Sequence, residues 1–187
     1  METDYGYPKD VVAEVLYGLY MPVIRDKYSE LADEMEGIVE GLRSAGSKAT
    51  IQDVLLWNLH YTLDYVISHV PELVKNNAEL DRKYGHVFTA GAVTGAGEGG
   101  AKDRCSAFIA VGDWTKDGKI VCAHNTFDNF IDSQYCNVIL DVRPSKGNAF
   151  IMQTAPGQIA SGTDYYVTSN GFIVTETTIG GFIKFKL

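Results

Sequence analysis

Residues 95–114 read GAGEGGAKDRCSAFIAVGDW, and the pattern of the whole chain changes at this stretch. Five of its first six positions are glycine or alanine, three charged residues follow, and Cys105 then opens an apolar run. Glycine gives the backbone its greatest conformational freedom, so this composition is typical of an exposed linker that is open to cleavage. The stretch therefore predicts a joint over residues 91–104, with a cysteine at the start of the part that follows.

The part before the joint has helical spacing. Apolar residues recur three and four positions apart from about residue 11 to residue 80. Gly46 predicts the end of one helix, and Thr50 with Asp53 three positions later has the spacing of a capping box that starts the next. This next helix is expected to run through Leu55, Leu59, Leu63 and Val66. Two prolines are expected to mark a helix break and a helix end, respectively: Pro22 and Pro71.

The part after the joint consists of short β-branched and aromatic runs bounded by glycine, which predict strands. These runs are SAFIAV, KIVCAH, NVILDV, AFIMQT, YYVTS and FIVTETT, beginning at residues 106, 119, 137, 149, 165 and 172. The predicted fold class is α+β, with N-terminal helices followed by antiparallel sheets. We expect a helical segment, 1–104, that ends in the glycine-rich linker 91–104, and a β-rich part, 105–187.

Composition narrows the classes of function. With 187 residues, 45% of them hydrophobic, the chain is long enough for one globular domain with a buried core. A net charge of −8 argues against nucleic acid as a partner. No apolar run approaches the roughly 20 residues that a transmembrane segment needs. The opening METDYGYPKD lacks the features of a signal peptide, so cytoplasmic is the default expectation, and secretion would require a leader outside this sequence.

Three cysteines are present, Cys105, Cys122 and Cys136, and an odd number argues against a disulfide scaffold. Together with His124 they lack the paired spacing of a structural zinc site, so no metal is predicted. The pattern G-x-G-x-x-G over 95–100 precedes a strand rather than a helix, which disfavours a dinucleotide site. No cofactor is therefore expected.

Two interpretations of Cys105 stay open. A lone cysteine at a strand start is ordinarily a small buried apolar residue. Alternatively, a cut in the preceding loop would make Cys105 a new N-terminus. Its α-amino group, with a pKa of about 7.7–8.0, would then lie close enough to the thiol to act as its general base.

Three segments carry a resemblance to a known family. They are CSAFIAVGDWTKDGKIVCAHNTF (105–127), PGQIASGTDYYVTSNGFIVTETTIGGF (156–182) and the helical LYMPVIRDKYSELADEMEGIVEGL (19–42). Together they resemble the phospholipase B-like and penicillin acyltransferase-like cysteine branch of the N-terminal nucleophile (Ntn) hydrolases. The resemblance covers most of the chain and implies an αββα sandwich. This chain is expected to form an incomplete part of that sandwich. Residues 1–104 would be the propeptide side and 105–187 the nucleophile-bearing part.

The resemblance implies an autoproteolytic amidase or acyltransferase. Cleavage between Arg104 and Cys105 would free the nucleophile. Cys105 would then attack a linear amide or ester, including a lipid one, and water or an amine would release the acyl group. The implied partners are this small-molecule substrate, the two cleaved pieces in association with each other, and further copies of the chain in a homo-oligomer.

The resemblance also assigns roles to individual residues. His124 and Asn125 would be catalytic, as the pair that orients the nucleophile or binds the substrate carbonyl. Four residues would bind substrate or stabilise the oxyanion: Thr126, Asp164, Glu176 and Thr177. Taken alone, each has a structural alternative, such as a core histidine, a turn or loop cap, or a solvent-facing strand residue. The alternative for the whole chain is a catalytically inactive or fragmentary Ntn-like protein with a binding or structural role.

The turn after the first strand decides whether this chemistry is possible. A two-residue turn at Asp117 and Gly118 would leave His124 opposite Val111, roughly 20 Å along the strand from Cys105. A wider loop, from about Gly112 to Gly118, would bring Cys105 opposite His124 or Asn125. The proposed chemistry therefore predicts the wider loop.

Overall fold

The computed structural model describes residues 6–88, 105–128 and 130–177, without the side chains of residues 64, 65, 131 and 132. The chain divides into two compact units, Met1–Gly99 and Gly100–Leu187. The predicted linker over 91–104, with Arg104 of the predicted cleavage site, lies outside the described residues. The division into a propeptide side and a nucleophile-bearing part stays a prediction.

The first unit is helical, as its apolar spacing predicts. Its helices are α1 (Lys9–Lys27), α2 (Ser29–Ser44), α3 (Ile51–Asn58), α4 (Leu63–Ile67), α5 (Val70–Lys75) and α6 (Ala78–Tyr84), with 3-10 turns at His60–Thr62 and Gly85–Val87. Val12 and Leu16 of α1 are fully buried in a cluster with Ile67, Val70 and Val74. Burial of this apolar stripe is what stabilises the short helices, which are marginal in isolation.

The helix signals around Gly46 and Thr50 are confirmed. Helix α2 ends at Ser44, and Gly46 follows with a φ of 85°, in the left-handed region that glycine adopts most readily. At the start of α3 the backbone N–H of Asp53 donates to Thr50 Oγ1 at 3.3 Å. In return, Asp53 Oδ2 accepts from the backbone N–H of Thr50 at 3.0 Å, which completes the capping box.

We expect Thr50→Ala to lower the free energy of unfolding by about 1 kcal/mol, because the Asp53 N–H loses its acceptor. Urea unfolding followed by circular dichroism at 222 nm measures the loss. Thr50→Ser is the matched control, since it keeps the hydroxyl and should stay close to the wild type. Equal destabilisation by serine and alanine would contradict the role of the cap.

The predicted helix break at Pro22 is wrong. Pro22 lies inside α1, which runs without interruption from Lys9 to Lys27. Leu16 and Met21, on the N-terminal side of the proline, are fully buried. Burial of α1 in the helical core outweighs the loss of one backbone hydrogen bond, so the helix continues past the proline.

Two further boundaries differ from the prediction. Pro71 lies in the first turn of α5, where its missing N–H needs no partner, and so it begins a helix rather than ending one. The helix that begins after Thr50 is interrupted at Leu59. There Asn58 Nδ2 donates to the carbonyl of Val54 and the Thr62 hydroxyl donates to the carbonyl of Leu59, so side chains compete with the regular backbone bonds.

The second unit contains the predicted strands, which confirms the α+β class. They are β1 (Ser106–Gly112), β2 (Gly118–Asn125), β3 (Val138–Val142), β4 (Phe150–Thr154), β5 (Tyr165–Thr168) and β6 (Ile173–Thr175), with a short helix α7 (Phe130–Ser133) after β2. Strands β1 and β2 form one antiparallel sheet, and β3 to β6 form a second in sequential order. Met152 and Thr154 of β4 are buried on one face of the second sheet.

The β1–β2 pair has the wider loop that the chemistry predicts. Gly112 pairs with Gly118, Ala107 with His124 and Ser106 with Asn125. The register shifts by one residue between Ala110 and Gly112, because β2 has an extra residue there, so that Lys119 and Ile120 together oppose Val111. Cys105 therefore falls beside Thr126, one position beyond the predicted partner Asn125. Since neighbours in a strand alternate between faces, the shift brings Cys105 to the face of His124 and leaves Asn125 on the other.

Candidate active site

The Cys105 thiol lies beside the carboxylate of Asp164. Cys105 is half-buried just before β1, and its thiol donates a hydrogen bond to Asp164 Oδ2 with an Sγ to Oδ2 distance of 3.7 Å. Asp164 immediately precedes β5 and has a φ of 59°. Among the described residues it is the only non-glycine residue with a positive φ, a conformation that aspartate and asparagine tolerate better than other side chains.

The loop that carries Asp164 is fixed by polar contacts and close packing. The Ser161 hydroxyl donates to the carbonyl of Gln153 at 2.8 Å and accepts from the backbone N–H of Tyr165 at 3.1 Å. At Gly162 an added Cβ would lie 2.9 Å from Cys136 Sγ, closer than side-chain atoms approach each other. The orientation of Asp164 is therefore set by the structure around it.

The imidazole of His124 is held from both sides. Nε2 lies 2.7 Å from the backbone carbonyl of Glu176, and Nδ1 lies 3.3 Å from Thr126 Oγ1. A carbonyl oxygen only accepts, so Nε2 carries the hydrogen in this contact. The single hydrogen of the Thr126 hydroxyl is donated to the carbonyl of Thr163 at 2.9 Å, so the contact with Nδ1 is not a second hydrogen bond donated by Thr126. In the neutral ring, Nδ1 is then the nitrogen with the lone pair.

Cys105, His124 and Asp164 form one compact cluster. One thiol, imidazole nitrogen and carboxylate atom from each all lie within 4.8 Å of one another, and all three residues are half-buried. In a linear relay the histidine separates the cysteine from the carboxylate. Here the thiol donates directly to Asp164. The geometry thus offers the thiol a carboxylate as a proton acceptor in direct contact.

Burial raises the pKa of the Cys105 thiol, and the negative charges of Asp164 and Glu176 raise it further. A hydrogen bond from the backbone N–H of Phe127 acts in the opposite direction. Burial likewise raises the pKa of Asp164, while the proximity of His124 lowers it. Both shifts act in the same sense: they favour the protonated form of the Cys105 thiol and make the Asp164 carboxylate more basic than usual.

Three other residues predicted for the site do not bring their side chains into the cluster of Cys105, His124 and Asp164. Asn125 is exposed on the opposite face of β2, where its Nδ2 donates to Ser106 Oγ at 3.4 Å. Glu176 and Thr177 follow the end of β6 at Thr175, and both are exposed. Glu176 reaches the cluster through its backbone, accepting from His124 and donating its N–H to the carbonyl of Asp164 at 3.1 Å.

Sequence reasoning missed the backbone groups of the site. These are the N–H of Phe127, the carbonyl of Thr163 and both peptide groups of Glu176. Backbone groups are the same in every residue, so side-chain identity cannot reveal them. The only available signal was their position, since each lies in or beside a segment that the sequence already singles out.

In the parts of the chain that the structure describes, no helix combines the length and apolar character of a membrane span.

Comparisons with known proteins cover most of the chain. An uncharacterized protein of Archaeoglobus fulgidus is 28% identical over 156 residues, a match that covers 82% of this chain and 23% of that protein. The chain thus spans about a quarter of the length of this relative. No solved structure matches this chain. The sequence model of the Phospholipase B family matches residues 25–184, a range that contains Cys105, His124 and Asp164. On the extent of that match, the chain belongs to the Phospholipase B family.

Proposed function

We propose that this chain carries the nucleophile of an autoproteolytic cysteine hydrolase of the Ntn class. Membership of the Phospholipase B family indicates a hydrolase of lipase type. The observation that carries the finer proposal is the Cys105 thiol, at the start of a strand, donating to Asp164 beside His124. A thiol, a basic carboxylate and an imidazole within contact distance are the groups that acyl transfer requires.

Self-cleavage begins at the peptide bond between Arg104 and Cys105. The Asp164 carboxylate takes the proton of the Cys105 thiol, and Sγ attacks the carbonyl carbon of Arg104. The bond from that carbon to the Cys105 nitrogen breaks, the nitrogen takes a proton to become the α-amine, and a thioester forms. Water then hydrolyses the thioester, which releases the Arg104 carboxylate and regenerates the thiol.

After cleavage the new α-amino group of Cys105 adds a proton acceptor to the site. In its charged form it also lowers the pKa of the neighbouring thiol, which burial and two carboxylates raise in the uncut chain. Cys105 then attacks the substrate carbonyl to form an acyl-enzyme, and water or an amine takes the acyl group. The Phe127 N–H, which already hydrogen-bonds to the thiol, is the candidate donor to the oxyanion.

The geometry supports a revised set of roles. Asp164 acts as a base rather than an oxyanion donor, because an ionised carboxylate only accepts hydrogen bonds. His124 shares the thiol's face of the hairpin and is oriented by Thr126. Asn125 is on the other face and has no part in the chemistry. Glu176 contributes its backbone, and no role is proposed for Thr177.

The substrate that we propose is a linear amide or ester with an apolar acyl group. Ile109 lies on the thiol's face of β1, about 13 Å along the strand from Cys105, and Phe108 lies on the other face; both side chains are exposed. With Val111, Trp114 and Val121 they line an open apolar concavity toward the turn of the hairpin. An extended acyl chain attached at Cys105 could reach this surface, and a lipid ester is such a substrate.

Intact-mass spectrometry of the purified protein, incubated at neutral pH, tests the proposal. We expect two fragments, the second beginning at Cys105. The catalytically inactive alternative predicts a single mass equal to the full chain, and that result would overturn the proposal. For a cleaved sample, a panel of p-nitrophenyl esters and anilides of increasing acyl length then identifies the substrate class. A rate that rises with chain length supports use of the apolar surface.

A further inference from the structure

The cluster of Cys105, His124 and Asp164 also has the composition of a metal site. Thiolate, imidazole and carboxylate are the three ligand types that zinc takes in proteins, and three protein ligands with an open fourth position are typical of accessible zinc sites. Within the described ranges of the chain, these are the residues that come together as a group of at least three potential ligands. We propose that they bind a zinc ion, and that bound zinc blocks the Cys105 thiol.

The distances fit a tetrahedral ion. With Zn–S about 2.3 Å and Zn–N or Zn–O about 2.0–2.1 Å, neighbouring ligand atoms lie about 3.3–3.7 Å apart. Cys105 Sγ and Asp164 Oδ2 are already 3.7 Å apart. A ring nitrogen of His124 lies within 4.8 Å of Sγ and of a carboxylate oxygen of Asp164, so a side-chain rotation is needed to close the triangle.

The surroundings of His124 and Asp164 have the form that metal ligands require. A ligating histidine donates its other ring N–H to a carboxylate or a backbone carbonyl, which fixes its orientation. Nε2 of His124 has such an acceptor in the Glu176 carbonyl at 2.7 Å, which leaves Nδ1 for the ion. The Thr126 hydroxyl keeps its bond to the Thr163 carbonyl when Nδ1 turns to a metal. All three ligands are half-buried, so the ion can reach them from solvent.

Zinc binding and nucleophilic attack use the same electron pair. The ion displaces the thiol proton to solvent, forming a Zn–S bond and releasing one H⁺. The sulfur pair is then engaged, and Asp164 is no longer free to accept a proton. The blocked reaction rests on the proposed function, whereas binding of the ion depends only on the geometry.

Cobalt titration of the full chain tests the site without any measurement of hydrolysis. We expect one equivalent of Co²⁺ to give a sulfur-to-cobalt charge-transfer band that Zn²⁺ removes. Cys105→Ser should abolish the band, and Asp164→Asn should weaken Co²⁺ binding at least about tenfold. Cys122→Ser is the matched control, because Cys122 lies on the same face of the hairpin, two positions from His124, and should leave the band unchanged. A band that survives Cys105→Ser or disappears with Cys122→Ser overturns the proposal.

Alkylation of the wild-type protein gives a second test that does not depend on how the variants fold. Zn²⁺ should slow the reaction of iodoacetamide with Cys105 at least about tenfold, leave Cys122 unaffected, and lose this effect when EDTA is added. Equal rates at Cys105 with and without zinc overturn the proposal. Cobalt binding in a chain that never cleaves itself would refute the proposed hydrolase and leave the zinc site standing. Self-cleavage in a chain that binds no cobalt would refute the zinc site and leave the proposed hydrolase standing.

Discussion

A chain with Cys105→Ala is expected to remain one intact polypeptide, however long it is incubated, and to hydrolyse none of the amides or esters of the substrate panel. In the proposed mechanism the same sulfur attacks the Arg104 carbonyl in self-cleavage and the substrate carbonyl in turnover, and a methyl group can do neither. Intact-mass spectrometry measures the first loss, and release of p-nitrophenol or p-nitroaniline measures the second.

Three variants give this experiment its controls. Cys105→Ser should cleave slowly, because a hydroxyl makes the same acyl shift with weaker nucleophilicity. Cys122→Ala should behave as the wild type. Cys136→Ala should cleave normally and lose about 0.5–3 kcal/mol of stability, since the buried Cys136 thiol donates to the carbonyl of Gly162. Normal fragments from the Cys105→Ala chain would exclude Cys105 as the nucleophile.

Asp164→Asn is expected to slow self-cleavage by about 10²–10⁴-fold, because an amide cannot accept the thiol proton. Asparagine tolerates a φ of 59° as well as aspartate does, so the backbone should be preserved. Burial and the Asp164 carboxylate both raise the pKa of Cys105, so removing the carboxylate should lower it. Iodoacetamide at pH 8 should therefore alkylate Cys105 faster in the variant than in the uncut wild type, even though cleavage is slower.

The pH dependence distinguishes loss of a base from loss of structure. Cleavage in the wild type should increase as pH rises through the Asp164 pKa, which lies above its ordinary value, and Asp164→Asn should remove this dependence. Because the folded state binds this proton more tightly than the unfolded state, the contribution of Asp164 to stability is present at low pH and is lost as pH rises. Asp164→Asn should thus be at least as stable as the wild type at neutral pH. Asp141→Asn, on an exposed carboxylate paired with Arg143, is the matched control and should cleave normally.

The strands and most of the helices could be predicted because each depends on a local pattern. Glycine-bounded apolar runs became β1 to β6, and the capping box at Thr50 opened α3 as expected. Predictions failed where packing or side-chain hydrogen bonds outweighed a local rule. Pro22 stays inside α1 for the first reason, and the helix after Thr50 stops at Leu59 for the second.

The site was harder to predict because its geometry depends on a single inserted residue. Without the extra residue of β2 at Lys119 and Ile120, the pairing of Gly112 with Gly118 would extend to Cys105 opposite Asn125. With it, His124 shares the face of the thiol. The sequence shows no sign of this bulge beyond Gly118, the glycine that precedes it. The contact of Cys105 with Asp164 spans 59 positions of the chain, and no local pattern predicts such a pair.

Gly162 has a consequence for how related sequences should be interpreted. A side chain there would collide with Cys136 Sγ at 2.9 Å and with Gln158 Oε1 at 3.0 Å, so the glycine is needed for the loop to close whether or not the protein is active. A homologue that has lost its activity should therefore still carry the PGQIASG stretch. Its presence reports a shared loop architecture, whereas the proposed mechanism predicts that a working enzyme has both Cys105 and Asp164. Screening genomes for that pair, rather than for the longer glycine-containing stretch, would separate active members from those that kept only the scaffold.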